Sequence, residues 1–304
     1  MTVERIETSI RNQGYRYRDR VRPGDAGATV LDYHVERFPH ASRAEWRARI
    51  ESGAVRVNAE VVDGDRPLAA GDELVFDRAP WVEPEAPCEF EVVHEDEDVL
   101  VVAKPAGLQV LPAGLFLQHT LLNLVRGSDP SRAQSSPIHR LGRGTSGLVL
   151  FGQNARACAA LSKELREFRV TKTYLALARG TNLPTSCRAR HPIGERPHGP
   201  MRVYCVDANG KESLTRVRVL ERDRPTDRSL VAAQPITGRA DQIRIHLAAL
   251  GAPLVGDPLF GVGGVPRSEA RPGEGGYCLH AVGLGFRHPG DGRRLRLRSR
   301  PTWS

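Results

Sequence analysis

The segment from His139 to Gly147, "HRLGRGTSG", gathers residue types that do chemistry. It holds an imidazole (His139), two guanidiniums (Arg140, Arg143) and two hydroxyls (Thr145, Ser146). It has no carboxylate: glycines occupy positions where a reactive side chain is expected. A hydrolytic reading of Ser146 with His139 fails, because no G-x-S-x-G frames the serine and no acid is placed to complete a triad. Two other segments bring what the loop lacks. "KTYLAL" sets Tyr174 in a strand-like run, where a lone tyrosine reads as a core aromatic. "TGRADQIRIHLAALG" sets Arg244 and Leu247 near one helical face, so the guanidinium can enter from an apolar stripe. A buried arginine is costly without a carboxylate partner.

The elements that must position these groups are readable around them. "FEVVHEDEDVLVVAKPAGL" predicts two short strands about an acidic turn, with Lys104 at a strand end near the site. "NARACAALSKELREF" has helical spacing at Ala157, Leu161, Leu165 and Phe168. "TKTYLALARG" predicts a strand, "LTRVRVLE" and "SLVAAQPI" a hairpin pair, and "YCLHAVGLGFRHP" and "RRLRLRSRP" late strands. In "DQIRIHLAALG", Asp241 is placed as N-cap and Gly251 as C-cap. His246 reads as a satisfied helix histidine. There is no internal repeat and no β-α-β alternation. The expected class is therefore α+β, a mixed and largely antiparallel sheet with flanking helices, over residues 88–304.

A smaller αβ module is expected over 27–79. "TVLDYHVERF" and "SRAEWRARIESG" predict two helices, the second with a capping box from Ser42 and Glu45. That helix carries Arg43, Arg47 and Arg49, the expected RNA contacts. Residues 1–26 read as a basic flexible arm. The proline-rich stretch 80–87 reads as a linker.

Five segments of the larger part carry a resemblance. "EDEDVLVVAKPAGLQV", "HRLGRGTSGLVLFGQN", "TKTYLALARG", "PITGRADQIRIHLAALGAPLVGDPLFG" and "CLHAVGLGFRHP" resemble, in order and spacing, the RluA-type pseudouridine synthases. "SRAEWRARIESGAVRVNAEVV" and "LAAGDELVF" resemble the small RNA-binding domain named after ribosomal protein S-four, with Ala59 in place of its usual glycine. The resemblance implies the pseudouridine synthase fold and the isomerisation of uridine to pseudouridine in ribosomal or transfer RNA, without cofactor or metal. It implies that Tyr174 stacks on the flipped base and that Arg244 pairs with a catalytic carboxylate. It implies substrate contacts from His139, Arg140, Leu141, Thr145, Ser146, Gly147 and Gln242. For Arg140, bonding of the loop's own carbonyls is an equal alternative, and Thr145 to Gly147 also read as shaping the turn.

The sequence departs from that pattern at one decisive place. The family's aspartate in "H-R-L-D-x-x-T-S-G" is Gly142 here, and the histidine of "T-G-R-x-H-Q-I-R" is Asp241. Glycine can be neither nucleophile nor base. Three readings stay open: Asp241 substitutes, catalysis is lost and the chain is a non-enzymatic RNA-binding factor, or another route operates. Asp257 reads as structural.

Composition agrees with an RNA partner. The 304 residues carry a formal charge of +8, nearly all of it as arginine, since lysine occurs only at Lys104, Lys163, Lys172 and Lys211. No apolar run reaches the roughly 20 residues of a membrane span, and the N-terminus has no apolar signal core, so a cytoplasmic protein is expected. The five cysteines contain no C-x-x-C pair, which argues against zinc and a disulfide framework. No helix-turn-helix or basic zipper suggests a DNA regulator.

Overall fold

The computed structural model describes residues 10–39, 41–199, 201–270 and 273–303. The chain divides into two compact units, one running to Glu83 and the other beginning at Pro84, apart from a short stretch near residue 200.

The smaller unit holds β1 (Tyr15–Arg20), α1 (Val30–Arg37), α2 (Arg43–Glu51), β2 (Val55–Val57), β3 (Glu60–Val61) and β4 (Glu73–Arg78). Thr29 caps α1 through the Asp32 amide, and the Ser42–Glu45 capping box of α2 is complete in both directions. Val30, Leu31, Trp46, Ile50, Val55, Val57 and Leu74 form its core. The sheet order is β1-β4-β2-β3, all antiparallel.

Two expectations fail here. Residues 15–20 of the basic arm form a strand, paired with β4 from Tyr15↔Arg78 to Arg20↔Glu73. Alternation is the cause: Tyr17 stacks on Phe76, and Asp19 accepts from Tyr33 and Arg37 on the same face. Residues 1–9 of that arm lie outside the described residues. The stretch read as a linker is also tied down. The Glu83 amide donates to the Ile10 carbonyl, and Asn12 donates to the buried Glu83 carboxylate at 2.9 Å. β2 and β3 form a hairpin turned by Asn58 and Ala59 at φ 49° and 70°.

The larger unit is α+β. Its strands are β5 (Glu91–Glu95), β6 (Val99–Lys104), β7 (Ser136–Pro137), β8 (Ser146–Gly152), β9 (Thr171–Arg179), β10 (Ser186–Ala189), β11 (Ile193–His198), β12 (Met201–Val206), β13 (Thr215–Asp223), β14 (Arg228–Pro235), β15 (Leu279–Arg287) and β16 (Arg294–Arg298). Its helices are α3 (Leu121–Ser128), α4 (Ala155–Arg166) and α5 (Gln242–Ala249). The main sheet runs β10-β13-β14-β9-β15-β8-β6-β5, with β16 on β15 and β7 on β8; β11 and β12 form a separate hairpin. Every described pairing of the main sheet is antiparallel except β15 with β8, which run parallel through His280↔Ser146 and Ala281↔Gly147.

That parallel seam explains where the site sits. The loop 139–145 feeds β8, and Tyr277 lies just before β15, so both converge at the start of the seam. Each residue of β8 is buried, as expected for a central strand covered on both faces. α3 and the β11–β12 hairpin have no counterpart in the sequence reading.

Candidate active site

The loop is a tight turn fixed from behind. The Thr145 amide donates to the Gly142 carbonyl at 3.0 Å. Lys104, at the end of β6, is 2% exposed, and its ammonium donates to the carbonyls of Leu108, Pro105 and Arg143 at 2.6, 2.8 and 3.2 Å. Burial, helped by the nearby Arg143 charge, pulls its pKa down to about 7. All three donors have acceptors, which is what allows a lysine in this place.

Several residues expected to touch substrate are built into the frame. Thr145 Oγ1 bonds the Tyr277 hydroxyl at 3.2 Å, and Ser146 Oγ bonds His280 Nδ1 at 2.8 Å. Gly147 has φ +108°, and a Cβ there would meet the Ala281 backbone oxygen and nitrogen at 2.4 and 2.5 Å. Leu141 is packed into the core. Gln242 accepts from Thr237 Oγ1 and the Arg239 amide and donates to Leu214 O and Thr215 Oγ1, so its amide is saturated. Thr215 in turn bonds His246 Nδ1, whose Nε2 reaches the His191 carbonyl; His246 is the satisfied helix histidine expected. The physical reason is shared. A turn entering a buried seam has polar groups that only neighbouring strands can satisfy.

His139 belongs to the same frame. Its Nε2 accepts from the Leu150 amide at 3.2 Å. Burial, and then the Lys172 charge, lowers its pKa to about 3 from 6.5, so it folds neutral. The unfolded chain then binds the extra proton between those values, and stability falls as pH drops from about 6.5 to about 3. Urea titrations of wild type and His139→Gln across that window should show a smaller acid loss in the variant; parallel curves would contradict the buried neutral imidazole.

Arg140 differs. It is exposed and, among the described residues, has no hydrogen bond or ion pair, so the carbonyl-bonding alternative is not seen. A free guanidinium at the loop suits phosphate.

The charged centre is built on α5. Arg244 is 3% exposed. Its Nε and Nη2 donate to the two oxygens of Asp257, each at 2.8 Å, a bidentate fork. Asp257 Oδ1 also accepts from the amides of Leu259 and Phe260, and its side chain is fully buried. The guanidinium lies 4.2 Å from the Tyr277 ring centroid and 4.9 Å from that of Phe260. Burial opposes the charge on Arg244, but the Asp257 hydrogen bonds and the charge of Asp241 outweigh it, and its pKa is raised. The remaining edge, Nη1, donates to Asp241 Oδ1 at 2.8 Å.

Asp241 overturns its expected role as N-cap. It sits in the left-handed region at φ 52°, ψ 15°, and makes no side-chain cap bond. A cap needs extended backbone to fold its oxygen over the helix amides. Here the carboxylate is drawn to Arg244 instead. Its side chain keeps 31% exposure, against 4% for Arg244 and none for Asp257. A Cβ placed on Gly142 would stand 4.0 Å from Asp241 Oδ1 and 3.0 Å from the Tyr277 hydroxyl. Gly142 has no positive φ, so its backbone does not demand glycine.

Tyr174 lies on β9 between Ala233 of β14 and Ala281 of β15, both small. It is 8% exposed, shares a core cluster with Leu141 and Tyr277, and burial raises its pKa. On α2 of the smaller unit, Arg43 pairs with Asp32, and Arg49 lies 4.6 Å over the Trp46 ring. Arg47 is exposed and unpaired among the described residues. Tyr277 and the Lys104 contacts were missed in the sequence: Tyr277 reaches Thr145 across 132 positions and Lys104 reaches the Arg143 carbonyl across 39, while its bonds to the Pro105 and Leu108 carbonyls depend on a turn that the sequence reading did not resolve. Among the described residues no group of three or more metal-ligating side chains is assembled, and no helix is long and apolar enough to cross a membrane.

Comparison with known proteins places the chain among relatives of one family. A family model described as RNA pseudouridylate synthase matches residues 98–249. An uncharacterized RNA pseudouridine synthase of Synechocystis sp. is 41% identical over 271 residues, covering 88% of this chain and 92% of the relative. The ribosomal large subunit pseudouridine synthase C of Escherichia coli is 32% identical, covering 82% of this chain and 81% of its own length. The solved structure of human RNA pseudouridylate synthase domain containing 1 matches with TM-score 0.58 and 29% identity, over 73% of this chain and 87% of that one.

Proposed function

Because the chain belongs to the RNA pseudouridine synthase family, we propose that it isomerises uridine to pseudouridine in ribosomal or transfer RNA in the cytoplasm. The observation that carries this reading is a partly exposed carboxylate, that of Asp241, held on buried Arg244 beside the Gly142 loop.

In this reading the target uridine leaves its stack and enters against Tyr174, whose ring supports the base while it turns. Arg140 meets a flanking phosphate. The smaller unit acts as an S-four-type RNA-binding domain, with Arg47 free for phosphate and Arg43 and Arg49 beside it. Isomerisation moves the sugar from N1 to C5, so the hydrogen on C5 is lost to water. Purified protein incubated with RNA carrying tritium at uridine C5, drawn from cells lacking its gene, should release tritium in proportion to protein. Intact RNA binding with no release would favour the non-catalytic reading.

A further inference from the structure

We infer that Asp241 is the catalytic carboxylate, acting from the start of α5 across a loop that supplies none. The inference rests on the isomerase reading above and deepens it by naming the group that acts on the sugar.

Breaking a glycosidic bond builds positive charge at C1′, and a carboxylate beside that carbon is the usual protein answer. Arg244 touches two carboxylates. Asp257 cannot serve: it is fully buried, and its oxygens are engaged by the Arg244 fork and two backbone amides. Asp241 has the opposite character. One oxygen is held by Arg244, while Oδ2 has no hydrogen bond among the described residues, and the side chain is 31% exposed. Its backbone is strained for a residue with a Cβ, and no cap bond compensates. Strain of this kind persists where the surroundings over-determine a functional geometry. A Cβ on Gly142 would meet the Tyr277 and Thr145 hydroxyl oxygens at 3.0 and 3.5 Å and lie 4.0 Å from Asp241 Oδ1, so the glycine keeps a side chain from crowding this carboxylate.

The step balances without any co-reactant. The C1′–N1 bond breaks with its electron pair leaving on the uracil, and Asp241 Oδ2 bonds to C1′. The uracil anion turns against Tyr174. Its C5 then bonds to C1′ and expels the carboxylate, the C5 proton passes to water, and N1 takes up a proton. Nothing is oxidised or reduced, and Asp241 is regenerated. Arg244 is a positioning residue: its Nη1 holds the carboxylate in place.

The test is single-turnover tritium release from C5-labelled RNA by wild type, Asp241→Asn, and Asp241→Asn combined with Gly142→Asp. Asparagine still accepts from Arg244, so the frame is kept; RNA binding and the melting temperature of each protein are measured alongside. A Cβ at 142 lies 4.0 Å from Asp241 Oδ1, the oxygen that Arg244 holds, so an aspartate there puts its carboxylate beside that of residue 241. Because that Cβ meets the Tyr277 hydroxyl at 3.0 Å, the combination is also made with Tyr277→Phe. Asp241→Asn should be slower by about 1000-fold or more with binding unchanged, and one of the Gly142→Asp combinations should recover at least about tenfold of that loss. Asp241→Asn within about tenfold of wild type overturns the inference. So does failure of both combinations to recover while folded and binding, since the loss would then be one of positioning. An inactive wild type would instead overturn the isomerase reading itself.

Discussion

Replacing Arg244 with methionine should destabilise the larger unit by about 3–5 kcal/mol. Methionine fills much of the same space and leaves the apolar contacts with Phe260 and Tyr277 largely in place. What it removes is the partner of Asp257, whose carboxylate is fully buried and receives two of its four hydrogen bonds from Arg244. An ionised carboxylate left in that place is far more costly than the salt bridge is favourable, because desolvation is no longer offset. Set against a total stability of about 5–15 kcal/mol, that is a large share. Urea unfolding followed by circular dichroism checks it. The double variant Arg244→Met with Asp257→Leu should regain much of the loss, since both charges are then gone. A loss below about 1 kcal/mol in the single variant would mean that Asp257 takes up a proton or is hydrated.

The second large effect is at Gly147. Alanine there should cost about 4 kcal/mol or more and yield little soluble protein. Two independent causes act. The backbone has φ +108°, which L residues with a Cβ rarely adopt. The added carbon would also lie 2.4–2.5 Å from backbone atoms of Ala281, which cannot swing aside as a side chain can. Relief requires β8 and β15 to part at their only described parallel pairing, where the loop and Tyr277 converge. Alanine at Gly142 is the control. No positive φ and no backbone atom stand in its way, so its cost should stay within the overpacking range of about 1–3 kcal/mol. Equal solubility and equal melting temperatures for the two variants would contradict this account of the seam.

These contrasts show what was legible in the sequence. The helices α1, α2 and α4 and the strands β6 and β9 fall where the sequence puts them, except that α4 ends at Arg166 and Phe168, expected on its apolar face, lies beyond it at φ 57° and 65% exposed. The pairing of Arg244 with a carboxylate follows from the cost of burying a guanidinium. The partners do not. Asp241 and Arg244 are one helical turn apart, and the sequence favours capping there; only the left-handed backbone turns the carboxylate away from the helix amides. Tyr277 and Thr145 meet across 132 positions, and Ser146 and His280 across 134. No local pattern encodes such contacts, so the turn-shaping role of Thr145 and Ser146 was legible in the sequence but their partners were not. Residues 15–20 misled for another reason. Their arginines read as a solvated tail, although Tyr15 and Tyr17 already alternated as in a strand.

Formation of pseudouridine in RNA through Asp241 has a direct test in cells. The most direct measurement is a transcriptome-wide map of pseudouridine in cells lacking the gene, complemented with wild type or with Asp241→Asn at matched protein levels. The account predicts at least one ribosomal or transfer RNA position that loses its pseudouridine in the deletion, regains it with wild type and stays uridine with the variant. Full restoration by Asp241→Asn, or no position that depends on the gene, would contradict it.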